Sequence, residues 1–331
     1  MTIGLRRVLL AAGLVVLVCA PPATAAAQSP DRVARIGFLG ASAPEREQPL
    51  LGAFRKAMRE LGHREGTTFV IEERYGGGRF ETLPALAAEL LARRIDLFLV
   101  AGAPAAHAAK KVTTTLLIVM TNAADPVGVG LVASLARPGG NVTGLSDFNE
   151  GVVAKRLAIL KEIIPSASRV AVLYNPTNPT NPRQLKLTQD AARTLGITVL
   201  ALDIRAAADL ERAASVIEKE RPHALLAIGD PALGSMRRQL VELAAKYRLP
   251  ATWSGKDALE HGGLMSYGTR FEDLYRRAAS YVDRILKGAN PADLPIEQPS
   301  TFEFVLNMKT ARALGLTVPM SIIFQADRII E

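Results

Sequence analysis

The stretch DPVGVGLVASLARPGGNVTG, from Asp125 to Gly144, carries Gly128, Gly130 and Ala133 on the spacing G-x-G-x-x-A. Glycines so spaced let backbone amides approach a dinucleotide pyrophosphate at the start of a helix. That fingerprint also needs its first glycine directly after a first strand, and an acidic residue ~20 positions on at the end of a second. Here the glycines follow the fourth apolar run, LLIVM, with TNAADPV between, and the downstream acids lie in SDFNEG, which reads as a connection. No cofactor is expected. The stretch reads instead as a short helix opened by Asp125 and Pro126 and stopped by Gly139 and Gly140, after which NVTGLS carries the chain across a hinge.

Other chemistries find equally little support. His63, His107, His223 and His261 show no metal-ligand spacing, so no metal site is expected. There is no G-x-S-x-G elbow, no P-loop and no carboxylate pair placed for hydrolysis, so the chain does not read as an enzyme. Lys and Arg number 40 against 32 Asp and Glu, but the excess is spread thinly, with no basic block interleaved with aromatics. Nucleic acid is therefore not an expected partner.

The elements that would position a site alternate. Arg6 and Arg7, the apolar run VLLAAGLVVLVCA and the small-residue stretch PPATAAAQS read as a secretory signal peptide over residues 1–27. The run is shorter than the ~20 apolar residues that span a bilayer. Cys19, the only cysteine, falls inside it behind Val18, so neither lipidation nor disulfides are expected in the mature chain. After Pro30 the strand runs ARIGFLG, TTFVIEERY, IDLFLV and LLIVM are separated by segments of helical period, such as Leu51, Phe54, Met58 and Leu61. The pattern restarts with SRVAVLYN, ITVLALD and HALLAIGD, followed by a stripe of Leu233, Met236, Leu240, Leu243 and Tyr247. Alternation of this kind specifies a mostly parallel sheet with helices on both faces, and its recurrence specifies two similar lobes. The expected fold is α/β, with two doubly wound parallel-sheet lobes joined by a hinge.

The segments TNAADPVGVGLVASLARPGGNVTGLS, RVAVLYNPTNP, ILKGANPADLPIEQPSTFEFVLNMKTARALGL and IIFQADRIIE resemble the family of ABC transporter substrate-binding proteins that includes the tryptophan and tyrosine binders. The resemblance spans nearly the whole mature chain. It implies a type I periplasmic binding protein fold, a periplasmic location, an amino acid or similar small organic solute as ligand, and an ABC permease as partner. The chain is expected to act as a monomer. A secreted sensing module for a receptor kinase or chemoreceptor would use the same fold. Lobe 1 is expected over 31–144 plus about 254–292, and lobe 2 over 145–253 plus about 293–331.

In open parallel sheets, ligands sit outside the carboxyl ends of the strands, where loops lead into helix N-termini. Such termini offer unpaired N–H groups and suit a carboxylate. Ser42, Ala103 and Asn122 are the residues expected at that end of the ligand. Asp230, which falls opposite Ala103 in the internal repeat, is expected to anchor an ammonium or polar donor, although Asp before Pro231 is also a helix-cap pattern. Asp125 and Ser254 are further candidates with the same cap alternative. Asn175 ends a strand at the expected cleft, ahead of the turn-forming NPTNPTNP, and Tyr267 could pack on an aliphatic or aromatic ligand.

Overall fold

The computed structural model describes residues 32–147 and 150–331; the expected signal peptide lies outside them. Strands β1 (Ala34–Gly40), β2 (Phe69–Tyr75), β3 (Leu97–Ala101), β4 (Leu117–Asn122) and β5 (Val142–Gly144) form one sheet in the order β2-β1-β3-β4-β5. All of its ladders are parallel, with Ile36 beside Ile71 on one side and Leu97 on the other. Helices α1 (Pro44–Glu60), α2 (Leu83–Ala92) and α3 (Ala103–Val112) make the crossovers. The sheet is apolar on both faces, since Phe38 and Leu99 pack with α1 while Leu39 and Val100 pack with α2 and α3.

The second sheet is built from β6 (Arg169–Tyr174), β7 (Thr198–Asp203), β8 (Ala224–Ala227), β9 (Ala251–Trp253), β10 (Met265–Thr269), β11 (Phe302–Asn307) and β12 (Arg328–Ile330), in the order β12-β11-β10-β9-β8-β6-β7. Only the β10–β11 ladder is antiparallel. Its covering helices are α4 (Glu150–Ile163), α5 (Asn181–Thr194), α6 (Leu210–Glu220), α7 (Pro231–Ser235), α8 (Arg237–Lys246), α10 (Met308–Leu314) and α11 (Met320–Gln325), the intervening α9 (Phe271–Leu286) belonging elsewhere. The expected single helix through Leu233 and Tyr247 is broken at Met236, between α7 and α8.

Two expectations are corrected. The chain was expected to return to lobe 1 near Ser254, but β10 pairs with β9 at Met265–Thr252 and with β11, so it stays in lobe 2 through Thr269. Helix α9 then packs Leu274, Tyr275, Ala278 and Val282 against α1 and the first sheet. Lobe 1 is therefore 33–145 with 271–297, and lobe 2 is 150–269 with 302–331. The local pattern of LMSYGT does not say which sheet edge it will join.

The second correction concerns the Gly128–Ala133 segment, which forms consecutive turns and no helix. Asp125 has φ 46 and Gly130 φ 73, so the backbone leaves the helical region at both ends of the first turn. Beyond it, Ser146 N–H donates to the Glu297 carbonyl at 2.8 Å and Glu297 N–H to Gly144 at 3.1 Å. The first and last crossings between the lobes thus brace each other.

Candidate functional site

The carboxyl ends of β1, β3, β4, β8 and β9 point to one cleft between the lobes. The ends of these strands and the turns that follow them place Ser42, Ala103, Asn122, Asp230 and Ser254 around a cavity of about 50 Å³, together with Arg46, Glu47, Asp147 and Tyr275. A second cavity of about 50 Å³ adjoins it through Asp147, Ser254 and Phe271, and adds Arg156. A wider recess of about 170 Å³ opens beyond Ser254 and Phe271, lined also by Pro49 and Leu50.

The lobes are closed on each other. Ser42 Oγ donates to the Pro231 carbonyl at 3.4 Å and Ala43 N–H to Ser235 Oγ at 3.2 Å. Arg46 of α1 bonds Asp257 of lobe 2, and Arg183 of α5 reaches Asp125 of lobe 1 at 2.6 Å. Each of these contacts joins residues that lobe opening would separate.

Asp230 is held as a cap. Its Oδ1 accepts from Ala232 N–H at 2.8 Å and Leu233 N–H at 3.0 Å, while Asn178 Nδ2 donates to Oδ2 at 2.8 Å and Asn175 Nδ2 approaches Oδ1 at 3.4 Å. Burial pushes its carboxyl above the usual carboxylate range, against the pull of Asn178 and the Leu233 amide. With these donors already on its oxygens, Asp230 has little left for a ligand. The pairing with Ala103 also slips by one residue, because Asp230 is the N-cap of α7 whereas Ala103 is the first residue of α3 behind Gly102. Asp230→Asn should therefore leave solute affinity within threefold in calorimetric titration. It should cost roughly 1–3 kcal/mol of stability, because the new amide would face the Asn178 amide donor in a buried site. Loss of affinity without loss of stability would restore the anchor role.

Three expected residues do not line these cavities. Asp125 folds back on the turn, accepting from Gly128 N–H at 3.1 Å and pairing with Arg183. Asn175 is a buried rivet of its own loop: its side-chain oxygen accepts from Thr177 N–H at 3.0 Å and Thr177 Oγ1 at 2.7 Å. The Tyr267 ring stacks on Phe302 with centroids 6.1 Å apart and meets Phe304 edge-on, so it packs within the second lobe.

Besides Asp230, the cleft holds charged residues that strand-end reasoning passed over. Glu47 is 4% exposed, and burial raises its carboxyl, opposed by Tyr275, whose hydroxyl donates to it, and by Arg46. Asp147 carries Oδ1 buried without a hydrogen-bond partner among the described residues. Burial raises its carboxyl as well, against the pull of Asn122, Arg46 and Arg156. Arg156 is buried at 7% exposure, with Nε–H donating to the Tyr267 carbonyl at 2.6 Å. A signal for two of these was present: Glu47 extends the stripe Leu51, Phe54 and Met58, and Arg156 sits among Val152, Val153, Leu157 and Leu160 on the buried side of α4. A charge in an apolar register marks a side chain that the interior must use or neutralise.

The arrangement offers a lone carboxylate oxygen and a guanidinium in a closed interlobe cavity. No cluster of metal ligands occurs among the described residues. No described helix is long and apolar enough to cross a membrane. Such a carboxylate and guanidinium pair can hold a small polar molecule by charge and hydrogen bonding.

Comparison with known proteins agrees. The chain is 27% identical over 263 residues to the tyrosine-binding protein of Clostridioides difficile (strain R20291), covering 80% of this chain and 75% of that one. Among solved structures, an ABC domain in complex with L-Trp from Streptococcus pneumonia superposes with a TM-score of 0.85 at 26% identity, covering 90% of this chain and all of the other. A conserved domain protein from Vibrio cholerae matches with a TM-score of 0.85 at 25% identity over the same share of this chain. The model of the ABC transporter substrate binding protein family matches residues 44–330, and the chain therefore belongs to that family.

Proposed function

We propose that this protein is the extracytoplasmic receptor of an ABC importer, closing on a small amino-acid-like solute between its lobes and delivering it to the permease. The observation that carries this reading is Asp147, which lines the interlobe cavity and whose buried Oδ1 has no hydrogen-bond partner among the described residues. A buried acceptor without a donor costs free energy, and a solute ammonium would remove that cost. Each small cavity has room for roughly three to five waters, so the solute's polar end fits there and a larger side chain must extend into the recess beside Leu50 and Phe271. The tyrosine and L-Trp in the names of the relatives support this class of solute. Closure transmits the signal, because a ligand shifts the population only through contacts that are better in the closed state. The receptor works as a monomer in the periplasm.

The test is a thermal-shift screen of the exported protein against the proteinogenic L-amino acids. A solute at 100 times its Kd adds about 2.7 kcal/mol. No stabilisation by any of them would remove amino acids as the solute class, and undiminished uptake in cells lacking the protein would remove the importer role.

A further inference from the structure

The cleft holds several guanidinium groups, and all but one meet an acid. Arg46 bonds Asp257, Arg237 approaches Asp257 at 3.5 Å, and Arg183 bonds Asp125 and Glu150. Arg156 differs. It is more than nine-tenths buried on α4, its one side-chain hydrogen bond is the Nε–H donation to the Tyr267 carbonyl, and no carboxylate among the described residues is in ion-pair contact with it. A guanidinium has five N–H donors, so Arg156, which lines the cavity, keeps donors to spare.

The surroundings leave that face accessible. Gly268 lies against Nη2, where a Cβ would come within 3.1 Å of it. Asp147 lines the same cavity and attracts Arg156 through space, but the two do not form a salt bridge. Burial pushes the Arg156 guanidinium down to about 10, against the attraction of Asp147. The group stays protonated at neutral pH, yet its cation is poorly compensated. A buried charge left in this condition is costly, and its natural complement is a planar anion that can take two N–H groups at once.

We propose that Arg156 is the receptor for a carboxylate of the solute and decides which solutes the cleft retains. This rests on the solute-binding reading above and departs from the expectation that the helix N-termini of lobe 1 hold the carboxylate. With Asp147 beside it, the pair presents opposite charges to the two ends of a zwitterion. A solute lacking the carboxylate would leave the guanidinium buried without its anion and should be rejected.

Calorimetric titration of wild type, Arg156→Gln and Arg156→Lys with the proteinogenic L-amino acids and their decarboxylated amines tests this. Wild type should favour the acid over its amine at least 100-fold. Arg156→Gln should lose at least 30-fold for the acid while moving the amine less than threefold, so the preference collapses. Arg156→Lys, which keeps the charge without the two-pronged geometry, should fall between and serves if the Gln variant does not fold. An unchanged acid-to-amine ratio in either folded variant, or a wild type that prefers the amine, overturns the assignment while leaving solute binding intact. A wild type that binds no member of either set overturns both.

Discussion

Asp147→Asn should weaken binding of an ammonium-bearing solute by a factor of about 10² to 10³ and, at neutral pH, raise the melting temperature of the ligand-free protein. The first effect follows because the incoming ammonium would meet an amide in place of a carboxylate, losing a charge-assisted bond to a buried group; about 3–4 kcal/mol is at stake. The second follows from linkage. Burial raises the folded carboxyl of Asp147 above the usual range, so between the unfolded value near 4 and the folded value the native state binds more protons. In that window stability falls as pH rises. Asn carries no such dependence. The melting temperatures of variant and wild type should thus agree below about pH 4 and separate above it, the variant being higher. Glu47 and Asp230 are shifted in the same direction by burial, so the wild-type decline will not vanish wholly in the variant. Differential scanning calorimetry across pH, paired with titration of the solute, reads both effects. Equal affinity in the two proteins would take Asp147 out of the site, whatever the melting curves show.

The second large effect is expected at the hinge. Gly144 closes β5 with φ +124, and a Cβ there would sit 2.2 Å from the Met120 carbonyl oxygen and 2.6 Å from its nitrogen. The obstacle is backbone of β4, which cannot swing aside as a side chain can. Gly144→Ala therefore combines a backbone conformation that costs roughly 1–3 kcal/mol in an L-residue with a steric overlap of similar size. A loss of about 3 kcal/mol or more in urea-induced unfolding is expected, or failure to accumulate folded protein. A loss under about 1 kcal/mol would mean that the β4–β5 ladder and the bracing between Gly144 and Glu297 are not as close as described.

The sequence alone specified the two-lobed α/β architecture, because most of its strands and helices announce themselves through periodicity within a few residues. It also placed Ser42, Ala103, Asn122 and Ser254 at the cleft, since a strand's carboxyl end in a parallel sheet faces the ligand side whatever its neighbours are. The tertiary structure decided what depends on partners far along the chain. Asp230 was legible both as a cap and as an anchor, and only the approach of Asn175 and Asn178 from another loop assigns its oxygens. Ser254 precedes a strand whose sheet is set by pairing with β11, so the lobe boundary moved to Thr269. Glu47 and Arg156 stand in apolar stripes, where sequence can register a misplaced charge but cannot say whether it finds a counter-ion. Glu47 meets the Tyr275 hydroxyl, whereas Arg156 forms no salt bridge with an acid among the described residues. Periodicity is a property of neighbours in the chain; compensation of a buried charge is a property of neighbours in space.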